Sequence, residues 1–77
     1  MKGGFMPLTM TGPGEEVTLV GINAGRGLQA RLYSMGLVPG VRMKVLNNGG
    51  RGPLMVLVKE TRLALGYGVA TKILVEK

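Results

Sequence analysis

The clearest pattern in the chain is the alternation over Val41–Leu46. Val41, Met43 and Val45 fall on one side, and Arg42 and Lys44 on the other. A period of two is that of a strand with one buried and one solvated face. Glu16–Ile22 (EVTLVGI) alternates in part, with Val17 and Leu19 on one side and Thr18, Val20 and Ile22 on the other, and also reads as a strand. Leu54–Lys59 (LMVLVK) is an unbroken apolar run of strand length, which predicts burial on both faces. Arg62–Leu65 and Lys72–Glu76 read as two more short strands. Leu8 and Met10, with the threonines between and after them, suggest a short edge strand.

From Arg26 to Met35 the period changes. Leu28, Leu32 and Met35 recur at i, i+4 and i+7, a single helical stripe, while Arg26, Gln29, Arg31 and Tyr33 lie off it. Gly36 is placed to end the helix in the left-handed conformation, and Pro39 prevents its resumption. Val38-Pro39-Gly40 then suits a type II turn. Pro13-Gly14 centres another turn, Asn47–Pro53 (NNGGRGP) reads as a flexible hairpin connection, and Gly66–Thr71 (GYGVAT) as a turn or one helical turn. Together these elements predict a mainly β chain. About five short antiparallel strands form a small barrel, with one short helix after the first main strand and a helical turn before the last. Closing the sheet would remove the exposed edges of short strands.

Size narrows the picture further. At 77 residues the chain is one domain. Folding at this size buries only roughly 60% of the unfolded surface, which leaves little room for an enclosed cofactor. Apolar residues make up 45% and charged residues 18%, a globular balance. Phe5, Tyr33 and Tyr67 are the only aromatics, so aliphatic side chains fill the core. There is no Cys for a disulfide, no apolar stretch near the N-terminus of signal-peptide type, and no run near the ~20 residues of a membrane span. A soluble cytoplasmic protein is the expectation. Ten basic residues face four glutamates, Glu15, Glu16, Glu60 and Glu76, for a net charge of +6. That surplus suits either a solvated surface or attraction to nucleic acid, anionic lipid or an acidic protein patch.

One motif hints at chemistry. Gly25, Gly27 and Ala30 spell G-x-G-x-x-A between a strand and a helix, the local form of a phosphate-cradling loop. A dinucleotide fold needs that loop in a parallel βαβ sheet with an acid ~20 residues beyond it. The corresponding stretch, VRMKVLNN, has no acid, and the chain is too short for the sheet. No Walker lysine follows either. The glycines therefore read as a turn between strand and helix. With neither His nor Cys, nucleophilic triads and the better metal ligands are missing, and Glu15-Glu16 would point to opposite faces of a strand. No catalytic, cofactor-binding or metal-binding residue is predicted, and the protein is not expected to be an enzyme.

The order of features resembles the ferrous iron transport protein A (FeoA) family. The resemblance is carried by "RLYSMGLVPGVRMKVL" and "TRLALGYGVATKILV", and extends from about Met6 to Val75. It leaves residues 1–5 as a flexible extension and 6–77 as the domain. It implies an SH3-like barrel and an accessory role in bacterial ferrous iron uptake. The implied partner is the membrane permease FeoB, which carries a cytosolic GTP-binding domain. The residues fit contact better than iron carriage, since Met thioethers prefer softer metals. The expected docking surface is the outer face of the helix and the tip after it: Arg26, Arg31, Tyr33, Met35, Leu37 and Val38. Leu37 and Val38 are expected on the surface because they lie in a turn. The alternative is a small basic nucleic-acid-binding or regulatory module. Against nucleic acid stand the three aromatics and basic residues spread along the sequence. A weak homo-oligomer is a further possibility.

Overall fold

The computed structural model describes residues 4–49 and 52–77. Met1–Gly3 of the expected extension, and Gly50 and Arg51 of the expected hairpin connection, lie outside the described residues. Six strands form one antiparallel sheet: β1 (Met6–Pro7), β2 (Glu16–Ile22), β3 (Arg42–Asn47), β4 (Leu54–Val58), β5 (Thr61–Leu65) and β6 (Ile73–Glu76). Their spatial order is β1-β6-β2-β3-β4-β5. Two helices, α1 (Arg26–Ser34) and α2 (Tyr67–Ala70), and a 3₁₀ turn at Leu8–Met10 complete the elements among the described residues. This is the mainly β, SH3-like architecture expected, with the helical turn before the last strand present and a sixth strand added.

The strands form where alternation supplies an inner row. Val17, Leu19, Met43, Val45, Val56, Ile73 and Val75 are all buried. Leu8 from the 3₁₀ turn, Leu32 from α1, and Ala70 from α2 join them in a single core. β4 departs from expectation. Leu54, Val56 and Val58 are buried, but Met55 and Leu57 are only half-buried. A curled single sheet has one inside, and among the described residues no second layer covers the outer face of β4.

Irregular pairing decides two other positions. The β2–β6 register shifts between Leu19 and Gly21, so Val20 is an inserted residue. The insertion brings Ile22 to the core side at 7% exposure, not outward beside Thr18 and Val20 as strict alternation predicts. At the N-terminus the edge strand is Met6–Pro7, paired with Leu74 and Val75, and not the Leu8–Met10 stretch. There the Thr11 backbone N–H (3.1 Å) and hydroxyl (2.6 Å) both donate to the Leu8 carbonyl. These bonds close a 3₁₀ turn, a local competition typical of threonine. Asn48, just after β3, ties this turn down: its Nδ2 donates to the Thr9 carbonyl (3.1 Å) and the Thr11 carbonyl (2.7 Å). The expected closure of the sheet is not found. Among the described residues β5 pairs with β4 alone.

The β4–β5 hairpin turns on Lys59-Glu60, since Val58 pairs with Thr61. Lys59 has φ +59°. A positive φ at the first loop position fits a type II′ turn, where glycine is at home. Lys59→Gly should therefore raise stability by roughly 0.5–1 kcal/mol, the relief of left-handed strain less the added chain entropy. Urea unfolding would read the gain as a higher midpoint at constant slope. An unchanged midpoint would show that the turn carries no strain.

Candidate functional site

The expected docking residues sit on α1 and its exit. Gly25 caps α1 without a side chain, and the turn before it is closed by Gln29. Gln29 Nε2 donates to the carbonyls of Ile22 (3.0 Å) and Ala24 (3.1 Å), so this side chain points back into the fold. Neither Gly25 nor Gly27 has a positive φ, and a Cβ at either would meet open space. The loop is therefore held by glutamine bonding and not by its glycine spacing.

At the other end of α1 the backbone follows a Schellman pattern. The Leu37 N–H donates to the Leu32 carbonyl and the Gly36 N–H to the Tyr33 carbonyl, both at 2.9 Å, with Gly36 at φ +93°. That geometry folds the residue after the glycine back onto the last turn of the helix. Leu37 is accordingly 0% exposed and belongs to the core with Leu32. The expectation that Leu37 lies on the surface is wrong for this reason: it is part of the helix stop. The sequence signal was available, because an apolar residue directly after a helix-ending glycine is the usual partner in this motif.

Met35 belongs both to the apolar stripe of the sequence and to the expected docking residues, and the structure leaves it on the surface: α1 ends at Ser34, and Met35 is the cap residue at φ −91° and ψ 2°. Off the helical path, it is 40% exposed. Tyr33 (41%) and Val38 (39%) are equally open, and Arg26 and Arg31 are exposed. Five of the six expected docking residues thus lie on the surface, on α1 and the tip that follows. Val38 opens the turn to β3: the Val41 N–H donates to the Val38 carbonyl (3.1 Å), and Gly40 has φ +95°, as a type II turn requires.

A second feature was not foreseen. The sheet places Glu16 opposite Lys44, Lys44 opposite Leu57, and Leu57 opposite Arg62, in one row across four strands. Beside that row lies an open concavity of about 200 Å³, lined by Glu16, Arg42, Met43, Lys44, Leu57 and Lys59. Basic residues scattered between positions 42 and 62 are gathered by strand pairing onto one face. Arg42 is steadied there by a bond from Nη1 to the Thr18 hydroxyl (2.9 Å) and by Glu16 at 3.9 Å. Glu15 points elsewhere, to Lys77 Nζ at 3.5 Å. Among the described residues no three His, Cys, Asp or Glu side chains gather to hold a metal ion. Nor, among them, is any helix long and apolar enough to cross a membrane.

Residues 6–77 match the model of the FeoA domain. The chain belongs to the FeoA domain family. A relative from Methanocaldococcus jannaschii, which bears the name of an Fe(2+) transport protein A, is 43% identical over 70 residues, covering 91% of this chain and 84% of the relative. The crystal structure of an iron uptake regulatory protein (FeoA) superposes with a TM-score of 0.89 at 35% identity, covering 96% of this chain and all of that one. The same fold recurs in a manganese-dependent transcriptional repressor, with a TM-score of 0.85 at 22% identity, covering 97% of this chain and 42% of the repressor. The fold thus accounts for the whole of one of these chains and for less than half of the other.

Proposed function

We propose that this FeoA-domain protein is a cytosolic, non-enzymatic accessory of ferrous iron uptake. It docks on the cytosolic GTP-binding part of a FeoB-type permease and modulates it. Membership of a family whose relatives are named for Fe(2+) transport supports the pathway. The residue inventory favours contact over carriage, because the chain has no His, Cys or Asp with which to hold ferrous iron.

The observation that carries the docking reading is the exposure of Tyr33, Met35 and Val38 within six residues of chain. Large apolar side chains left open at one end of a helix, with Arg31 in its last turn and Arg26 at the other end of the same helix, have the composition of an interface core with a polar rim. Binding there would bury apolar area that a lone domain leaves wet.

Co-purification with the permease's cytosolic part, with and without a GTP analogue, tests the reading. Wild type should be retained in at least one nucleotide state. Val38→Glu should keep its fold, since Val38 is on the surface, and lose about tenfold or more in affinity as an interface-centre substitution. Unchanged retention of Val38→Glu would remove the tip from the interface. No retention of wild type in any nucleotide state would overturn the docking itself.

A further inference from the structure

We infer that the outer face of β2–β5 is a second contact surface, which takes an extended acidic segment of the docking partner with one apolar side chain seated over Leu57. This deepens the docking reading and rests on it for the identity of the partner. Tyr33, Met35 and Val38 of the α1 tip do not line this concavity, although the chain links the two: Val38 precedes Arg42 by four residues.

The argument begins with register. Arg42 and Lys44 alternate outward on β3 while Met43 and Val45 are buried. Pairing sets Lys44 beside Leu57 and Leu57 beside Arg62. Lys59, in the turn, forms part of the wall of the same concavity. Four cations therefore surround a half-buried leucine. The carboxylates at this face are Glu16, opposite Lys44, Glu60 in the turn beside Lys59, and Glu76 at its β6 edge, across Thr18 from Arg42. Glu16 is more than half exposed and 3.9 Å from Arg42, so it neutralises little of the field. The face is complementary to negative charge, with an apolar centre.

That centre decides between anionic partners. A phosphodiester chain recognised without aromatic stacking gains only from charge, and none of the chain's aromatic residues lies along this row. The apolar floor at Leu57 gives it no partner, and Glu16 repels it. A plane of lipid headgroups cannot reach a floor recessed between side chains. A protruding leucine or similar side chain can, with carboxylates on either side meeting the rim. The spacing is suitable: Lys44 and Arg62 lie two strands apart, about 10 Å, which an extended segment spans in about three residues.

Lys59 supports the assignment independently. It holds a left-handed φ of +59° at a position where glycine would be unstrained. Strain of this kind is retained where a side chain is needed, and here it keeps a cation on the wall of the concavity.

The test is a titration followed by amide chemical shifts, using a ten-residue peptide centred on Glu-Glu-Leu-Glu-Glu. The expected result is binding with shifts centred on Arg42, Lys44, Leu57, Lys59 and Arg62. Replacing the peptide's leucine by serine should weaken binding several-fold. Lys44→Gln/Arg62→Gln should weaken it roughly tenfold, whereas Arg26→Gln/Arg31→Gln, with the same net charge, should change it less than about threefold. Lys59→Gly should weaken peptide binding while it raises stability. The inference is overturned if shifts fall elsewhere, if the two charge variants lose equally, or if the serine peptide binds as well. It is also overturned if duplex DNA or vesicles with anionic headgroups compete for the same residues more tightly than the peptide. With the permease's cytosolic part as probe, wild-type binding undiminished by Lys44→Gln/Arg62→Gln also rejects the surface. Absence of wild-type binding there rejects the docking reading, and the peptide titration still decides the surface.

Discussion

Leu37→Glu should leave no cooperative unfolding transition at 25 °C, and Leu37→Ala should lower stability by about 2–5 kcal/mol. Leu37 is fully buried and in the same core as Leu32, so truncation removes apolar burial and opens a cavity. A carboxylate there would be desolvated among aliphatic groups without a partner. Small domains have only about 5–15 kcal/mol in total, and one of this size sits at the low end. The same substitution one residue later should be harmless to folding, because Val38 is 39% exposed. Urea unfolding of Leu37→Ala beside Val38→Ala is the direct measurement. Equal, small losses for both would place Leu37 on the surface and reject the Schellman packing.

Asn48→Ala should lower stability by about 2–3 kcal/mol. Its side-chain amide donates to the carbonyls of Thr9 and Thr11, which lie 39 and 37 positions away in sequence. Each bond is worth on the order of 1 kcal/mol net, and part-buried carbonyls left without a donor add to the cost. The loss should concentrate at the N-terminal turn. Amide exchange at Thr11, whose N–H is bonded to Leu8, should accelerate more than exchange in the β4–β5 ladder. Asn48→Asp should not rescue, because a carboxylate offers no donor to two carbonyls. A loss below about 0.5 kcal/mol would mean that water replaces the amide without penalty.

Much of the architecture was legible along the chain because the local rules are strong there. Alternation over β3, the apolar stripe of Leu28 and Leu32, the helix stop at Gly36 and the Pro39-Gly40 turn each have a local physical cause, and each is found. Departures occur where a local rule has an exception that pairing introduces. The inserted Val20 turns Ile22 inward. Threonine bonding converts the Leu8–Met10 stretch into a 3₁₀ turn. The outer side chains of β4 stay half-open because no second layer among the described residues covers them. In the docking region the helix boundary decided everything. One residue less of helix turned Met35 outward, and the Schellman closure after it turned Leu37 inward.

The amino-acid order alone settled the fold class, the family and the absence of the side chains that nucleophilic or ferrous-iron chemistry prefers, because each follows from residue type or short-range period. It could not reveal the basic face. Arg42, Lys44, Lys59 and Arg62 span 21 residues and look dispersed, and no periodicity within one strand brings them together. Cross-strand register does so, and register is a long-range property set by turn lengths, bulges and the choice of which side faces the core. The inner face of a small curled sheet is written in local patterning. The shape and charge of its outer surface are assembled only when the strands pair.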